Sequence, residues 1–187
     1  YGGWHGFVYK KAYKNEKEFN EHCLGEYAEH YSAVGVDHTF YAWPTAKGMA
    51  KYKAQTPDYF RFGLKVTEKI TIWKYPKFSR YGKDAGKDNE AFLDAKLFQD
   101  LFLSPLDDVK DRIGPVMLEF SQFFPGTIAS GSEFVERLDK FFSEVLKYSK
   151  IQFAIEMRNK SWLQAPYFKM LEKHGVAHVF NSWTRMP

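Results

Sequence analysis

One cysteine, Cys23, is all the thiol chemistry in this chain of 187 residues. It excludes an internal disulfide and any zinc site built from several thiolates. A reducing, cytoplasmic compartment is the expected setting. No stretch approaches the ~18 consecutive apolar residues that a spanning helix needs, so a membrane partner is not expected. The opening residues, Tyr1-Gly-Gly-Trp-His-Gly6, lack a charged segment followed by an apolar one, so they do not read as a signal peptide. Familiar catalytic motifs are absent too. There is no GxGxxG and no GxSxG. Gly82–Asp88 is one residue short of a phosphate loop and has Asp88 where Ser or Thr must hold magnesium. The six histidines show no HExxH or other ligand spacing.

Hydrophobic residues make up 44% and charged residues 27%, the balance of a folded globular chain rather than a disordered one. A single domain over 1–187 is expected, and such a length buries roughly 70% of its unfolded surface. Aromatics are plentiful at 19%, with 18 Phe. The net charge of +4 is unevenly placed. Lys65, Lys69, Lys74, Lys77, Arg80, Lys83 and Lys87 face only Glu68 and Asp84 within that segment, which therefore holds all of the positive excess. It reads either as a solvated loop or as an anion-binding surface.

Two periodicities alternate along the chain. Phe19, Cys23, Tyr27 and Tyr31 recur every four residues and predict a helix over 16–31, with Asn15 and Glu18 as a capping box. Period-two alternation predicts strands over Ala33–Tyr41 and Tyr59–Thr67, with a short helix, Thr45–Gln55, between them. Tyr75–Asn89 reads as a long polar loop. Helical spacing at Leu97–Phe102 is expected to stop near Pro105 and resume with Leu106, Val109 and Ile113. A strand, Pro115–Phe120, precedes an amphipathic helix capped by Ser130 and Glu133. Then come a strand over Ile151–Arg158, a helix over Leu163–His174 with Gly175 as its stop, and a last strand, Val176–Trp183.

Five strands alternating with helices predict an α/β fold with a parallel sheet, either doubly wound or part of a (β/α) barrel. Each strand is apolar on one side and small or polar on the other. That pattern favours a TIM-type barrel, because both faces of a doubly wound sheet are buried and apolar. Barrel sites lie at the C-terminal ends of the strands. The polar sides there offer Asp37 and Thr39, Lys65, Glu119, Glu156 and Arg158, with Asn181 or Ser182 on the last strand. Buried charges must balance one another. These residues therefore read either as a structural ion network or as a polar site in which Lys65 and Arg158 anchor a ligand. In the second reading Glu119 and Glu156 act as general acid and base. No cofactor is specified. His5 and His38 could join Glu119 and Glu156 around a divalent ion. Trp4, Tyr41, Trp43, Trp162 and Trp183 fall near strand ends, where rings suit sugars or unstacked bases as well as a plain apolar cap.

Several segments resemble one family. Val34-Gly-Val-Asp-His-Thr-Phe-Tyr41 with Pro44, Gln55–Lys65 with Ile70-Thr-Ile72, Gly114-Pro-Val-Met-Leu-Glu-Phe120, Ala154-Ile-Glu-Met-Arg158 with Ser161-Trp162, and His174-Gly-Val-Ala177 are similar to successive signatures of the YecE-like family, domain of unknown function 72. The resemblance spans nearly the whole chain. It implies a TIM-type barrel with strands two to six present and strands one, seven and eight missing, so that the chain is a fragment. It implies no established activity. Lys65, Glu156, Arg158 and Trp162 match the family pattern. Gly35 and Asp37 depart from its Glu-x-Asn, and Glu119 stands where the family has Gln.

Three functions follow as expectations. The first is an enzyme, of hydrolase type, acting on a phosphorylated or sugar-like small molecule through Glu156 and Glu119. Lys65, Arg158, Asp37, Thr39, Tyr41, Trp162 and Asn181 would bind that ligand. The second is a nucleic-acid-binding or repair-type barrel that uses the basic 65–87 segment. The third is a non-catalytic scaffold.

Overall fold

A computed structural model describes residue 3, residues 5–124 and residues 126–182. Trp4 and Trp183 lie outside the described residues. The chain is an α/β fold around a five-stranded, all-parallel sheet. Helix α1 (Glu16–Ala28) begins where the Asn15 side chain accepts from Glu18 N–H, as its capping residue predicts. The Glu18 carboxylate turns back to Lys14 N–H rather than to Asn15, so only half of the expected box forms.

Strand β1 (Ala33–Val36) is shorter than its alternation suggests. From Asp37 the backbone is helical, and α2 (His38–Tyr41) follows. The Thr39 hydroxyl explains the change, because it sits 3.0 Å from the Val36 carbonyl and 2.7 Å from the Lys65 carbonyl, covering the ends of two strands. Helix α3 (Ala46–Ala54) is capped by Thr45 and leads to β2 (Arg61–Lys65) and a single turn, α4 (Glu68–Thr71). The polar loop holds a 3-10 turn over Ser79–Asp84 and a bridge between Lys74 and Asp88.

Pro105 does not interrupt the next helical stretch. Helix α5 (Ala95–Phe98) widens into a π turn over Gln99–Leu103, and the chain continues as 3-10 turns over Ser104–Arg112. Proline is tolerated there because it falls in the first turn of the new segment, where an N–H has no helical partner anyway. Strand β3 (Ile113–Glu119), helix α6 (Gly131–Val145), strand β4 (Phe153–Glu156), helix α7 (Ala165–His174) and the short strand β5 (Ala177–His178) complete the order. Only Ala177 and His178 of the expected last strand pair in the ladder, extended by one bond from Val179 N–H to the Ile155 carbonyl.

The spatial order is β1-β2-β3-β4-β5, each strand beside its successor. A doubly wound sheet reverses direction at a switch point. This one does not, so the arrangement is consistent with part of a (β/α) barrel. Val34, Phe62, Leu64, Val116, Leu118, Phe153 and Ile155 join one core with the helices. The phenylalanines account for much of that core: Phe60, Phe62, Phe98, Phe102, Phe120, Phe134 and Phe142 are all buried. The opposite face starts as a floor of Gly35, Gly63 and Ala154 and becomes charged toward the strand ends. Among the described residues no helix is long and apolar enough to cross a membrane.

Candidate functional site

Partners across a parallel ladder point to the same side of the sheet, and alternate residues share a face. Lys65 pairs in register with Met117, and Glu119 with Glu156. Lys65, Glu119 and Glu156 therefore stand side by side at the C-terminal ends of β2, β3 and β4. Arg158 follows Glu156 by two residues, and Asp37 reaches in from the end of β1.

These five residues form one chain of ion pairs. Lys65 Nζ is 3.0 Å from Asp37 Oδ1 and 3.1 Å from Glu119 Oε2. The other Glu119 oxygen, Oε1, accepts from Arg158 Nη2 at 2.7 Å. Arg158 Nε donates to Glu156 Oε1 at 3.3 Å. Burial pulls the Lys65 ammonium down, but its bonds to Asp37 and Glu119 outweigh that and hold its pKa above the ordinary lysine value. Both Glu119 oxygens are taken by cations. Glu156 holds Arg158 only through Oε1, with Nε and Nη2 both at 3.3 Å, and keeps an oxygen, Oε2, to which no hydrogen bond is made among the described residues. The carboxylates are sheltered, with side chains 14% and 11% exposed, whereas Arg158 is 36% exposed and keeps a face toward solvent.

The other expected site residues are placed differently. Thr39 is buried and spends its hydroxyl on two backbone carbonyls. Tyr41 is exposed on α2. Asn181 is half-buried just past β5, beyond the residues that pair in the ladder. Trp162 is not brought to this group. Its ring stacks on Phe123 at 5.3 Å and lies against Phe134 of α6. His5 and His38 do not join Glu119 and Glu156 around an ion: no group of three His, Cys, Asp or Glu side chains able to hold a metal occurs among the described residues.

The basic segment is less free than its sequence suggests. Lys65, Lys74, Arg80 and Lys87 each have a carboxylate partner: for Lys74 it is Asp88, for Arg80 Glu68 and for Lys87 Asp84. Lys69 sits 5.8 Å over the Trp43 ring. Sequence reasoning missed Glu68, whose buried carboxylate receives both Arg80 and the Tyr81 hydroxyl. Its position three residues past a strand end, as one of two acids in a basic run, was the available signal. Burial and the bond to Glu68 push the Tyr81 hydroxyl up to about 12.

Comparison with known proteins adds the family. Two crystal structures of a DUF72 family protein (EF0366) from Enterococcus faecalis V583 match at 21% identity. One has a TM-score of 0.56 over 83% of this chain and 52% of that chain, the other 0.55 over 88% and 65%. A DUF72 family protein (TM1631) from Thermotoga maritima MSB8 matches at 20% identity and a TM-score of 0.57, over 95% of this chain and 63% of that one. The chain thus spans half to two thirds of the length of these relatives, and the likeness carries the fold alone. No curated protein matches it. The family model described as protein of unknown function DUF72 matches residues 1–184, and the chain belongs to that family.

Proposed function

We propose that the ion chain at the ends of β2, β3 and β4 is a site for a polyhydroxylated, sugar-like small molecule, in which Glu156 moves a proton to or from a ligand hydroxyl. The observation that carries this reading is the asymmetry between the two glutamates. Glu119 is bridged by Lys65 and Arg158 on both oxygens, which suits a counter-ion that positions cations. Glu156 meets Arg158 through Oε1 alone, with Nε and Nη2 both at 3.3 Å, and so retains Oε2 for a ligand proton. Arg158 and Lys65 supply donors for ligand oxygens, and three carboxylates against two cations favour hydroxyl groups over a phosphate between the glutamates. We further propose that the five strands are the second to sixth of an eight-stranded barrel. Their unbroken sequential order supports this, as does the share of the solved relatives that the chain covers.

The test is Glu156→Gln in the full-length protein, assayed against a panel of sugars and sugar derivatives. Loss of turnover by about 100-fold or more, with melting temperature kept, is expected of a lost acid–base group. Undiminished turnover would sink the assignment and leave the ion chain as a structural brace of a non-catalytic scaffold.

A further inference from the structure

Arg80, in the loop between β2 and β3, has no part in the acid–base arrangement, yet it is held with unusual care. Its Nη2 donates to Glu68 Oε2 at 2.9 Å and also to the Tyr81 hydroxyl, which in turn donates to the same Glu68 oxygen at 2.8 Å. The guanidinium lies 5.7 Å from the Tyr41 ring centre and 4.5 Å from that of Tyr81. With Nη2 committed, Nε and Nη1 make no hydrogen bond among the described residues, and the side chain is 46% exposed.

The base of the loop is closed by other bonds, Tyr75 N–H to the Lys87 carbonyl and Gly86 N–H to the Tyr75 carbonyl, both at 2.9 Å. Buried Asn89 adds bonds to the Lys69 and Ile72 carbonyls at 2.8 and 2.7 Å. The Arg80 cluster is built on the segments that follow β1 and β2, at the same end of the sheet as the ion chain. Glu68 is three residues past Lys65, and Tyr41 two past Thr39, whose hydroxyl bonds the Lys65 carbonyl. Lys69, over Trp43, has no carboxylate partner among the described residues and leaves the patch with one positive charge in excess.

We propose that Arg80, flanked by Tyr41 and Tyr81 and anchored by Glu68, is an oxyanion subsite at the mouth of the Glu156 site, so that the ligand is a polyol bearing a carboxylate or a phosphate. The inference rests on the sugar-like reading of that site. It answers a difficulty there: an anionic group is disfavoured between the glutamates and needs a cation set apart from them. An arginine held in place in advance loses little freedom when it binds, and its planar donors match an oxyanion in a way that an ammonium does not.

Titration calorimetry of the full-length protein with glucose, gluconate and glucose 6-phosphate tests the subsite. One or both acidic probes should bind about ten-fold tighter than glucose, in keeping with charge-assisted bonds. Which one prevails separates carboxylate from phosphate. Arg80→Lys keeps a charge for Glu68 but loses the planar donors, and should abolish most of that preference. Tyr41→Leu, at an exposed position, should reduce it and serves where Arg80→Lys does not fold. Equal binding of glucose, binding of none of the three, or a preference that survives both variants would overturn the proposal. Glu156→Gln should keep the acidic preference while losing turnover. If it keeps both, the acid–base reading fails and the subsite stands.

Discussion

Glu119 and Glu156 face one another across a single ladder, and the difference between them is set by their neighbours rather than by residue type. Alternation within β2, β3 and β4 was enough to place Lys65, Glu119, Glu156 and Arg158 together, because parity is a local property of a strand. Which glutamate holds two cations depends on side-chain reach across strands, and no periodicity encodes that. Another residue gives a pH prediction. His178 points away from the charged face, with its Nδ1 3.1 Å from the Tyr167 hydroxyl and its ring among Phe168 and Phe180. Burial lowers its pKa below the ordinary histidine value. The unfolded chain thus binds the extra proton first as pH falls. The stability His178 contributes is present above about pH 6.5 and is lost as pH falls through its folded pKa. His178→Gln should flatten the dependence of melting temperature on pH between about 7.5 and about 5.5. An unchanged slope would show that other groups carry it.

At the scale of elements, helices were more legible than strand ends. α6 was marked by both its apolar spacing and its cap. The Ser130 hydroxyl accepts from Glu133 N–H at 3.1 Å, and Phe134, Leu138, Phe141, Phe142 and Val145 are buried along one face. Ser130→Ala should cost about 1 kcal/mol in urea unfolding, the usual worth of such a cap. A loss below ~0.3 kcal/mol would mean that Glu133, bonded to Ala129 N–H, suffices alone. The α7 stop was equally plain, since Gly175 takes the left-handed conformation at φ 62° that glycine adopts without strain. β1 was overextended because His38 and Phe40 continue an alternation that suits a helical turn as well. The loop over 75–89 was opaque for a different reason. Its order comes from Asn89 and Glu68, single polar residues that bond at a distance in the chain, and composition alone reads such a stretch as solvated.

Across the whole molecule, the longest connection between neighbouring strands is residues 66–112, and one side chain ties its last residue to the segment that enters β2. Arg112, buried at the start of β3, donates through Nε to the Phe60 carbonyl at 2.9 Å. Its Nη2 reaches the Thr56 carbonyl at 3.2 Å, the Thr56 hydroxyl at 2.8 Å and the Pro57 carbonyl. These are the residues that lead into β2. Arg112→Met would leave the buried Thr56 carbonyl without a donor, while the Phe60 carbonyl keeps Arg61 Nη1 and the Pro57 carbonyl keeps the Phe60 N–H. A loss of about 1–3 kcal/mol is expected in urea unfolding, and less than ~0.5 kcal/mol would show that water replaces the guanidinium.

The unbroken strand order also bears on how the chain acquires its shape. Every ladder joins strands that are consecutive in sequence, so a chain emerging from the ribosome can complete each pairing as soon as the next strand appears, without waiting for its far end. The rate of acquisition is then governed by the largest loop to be closed, the one between β2 and β3. Arg112 sits at that closure, which makes the meeting of residues 56–60 with 112 the step on which the timing of the whole sheet depends.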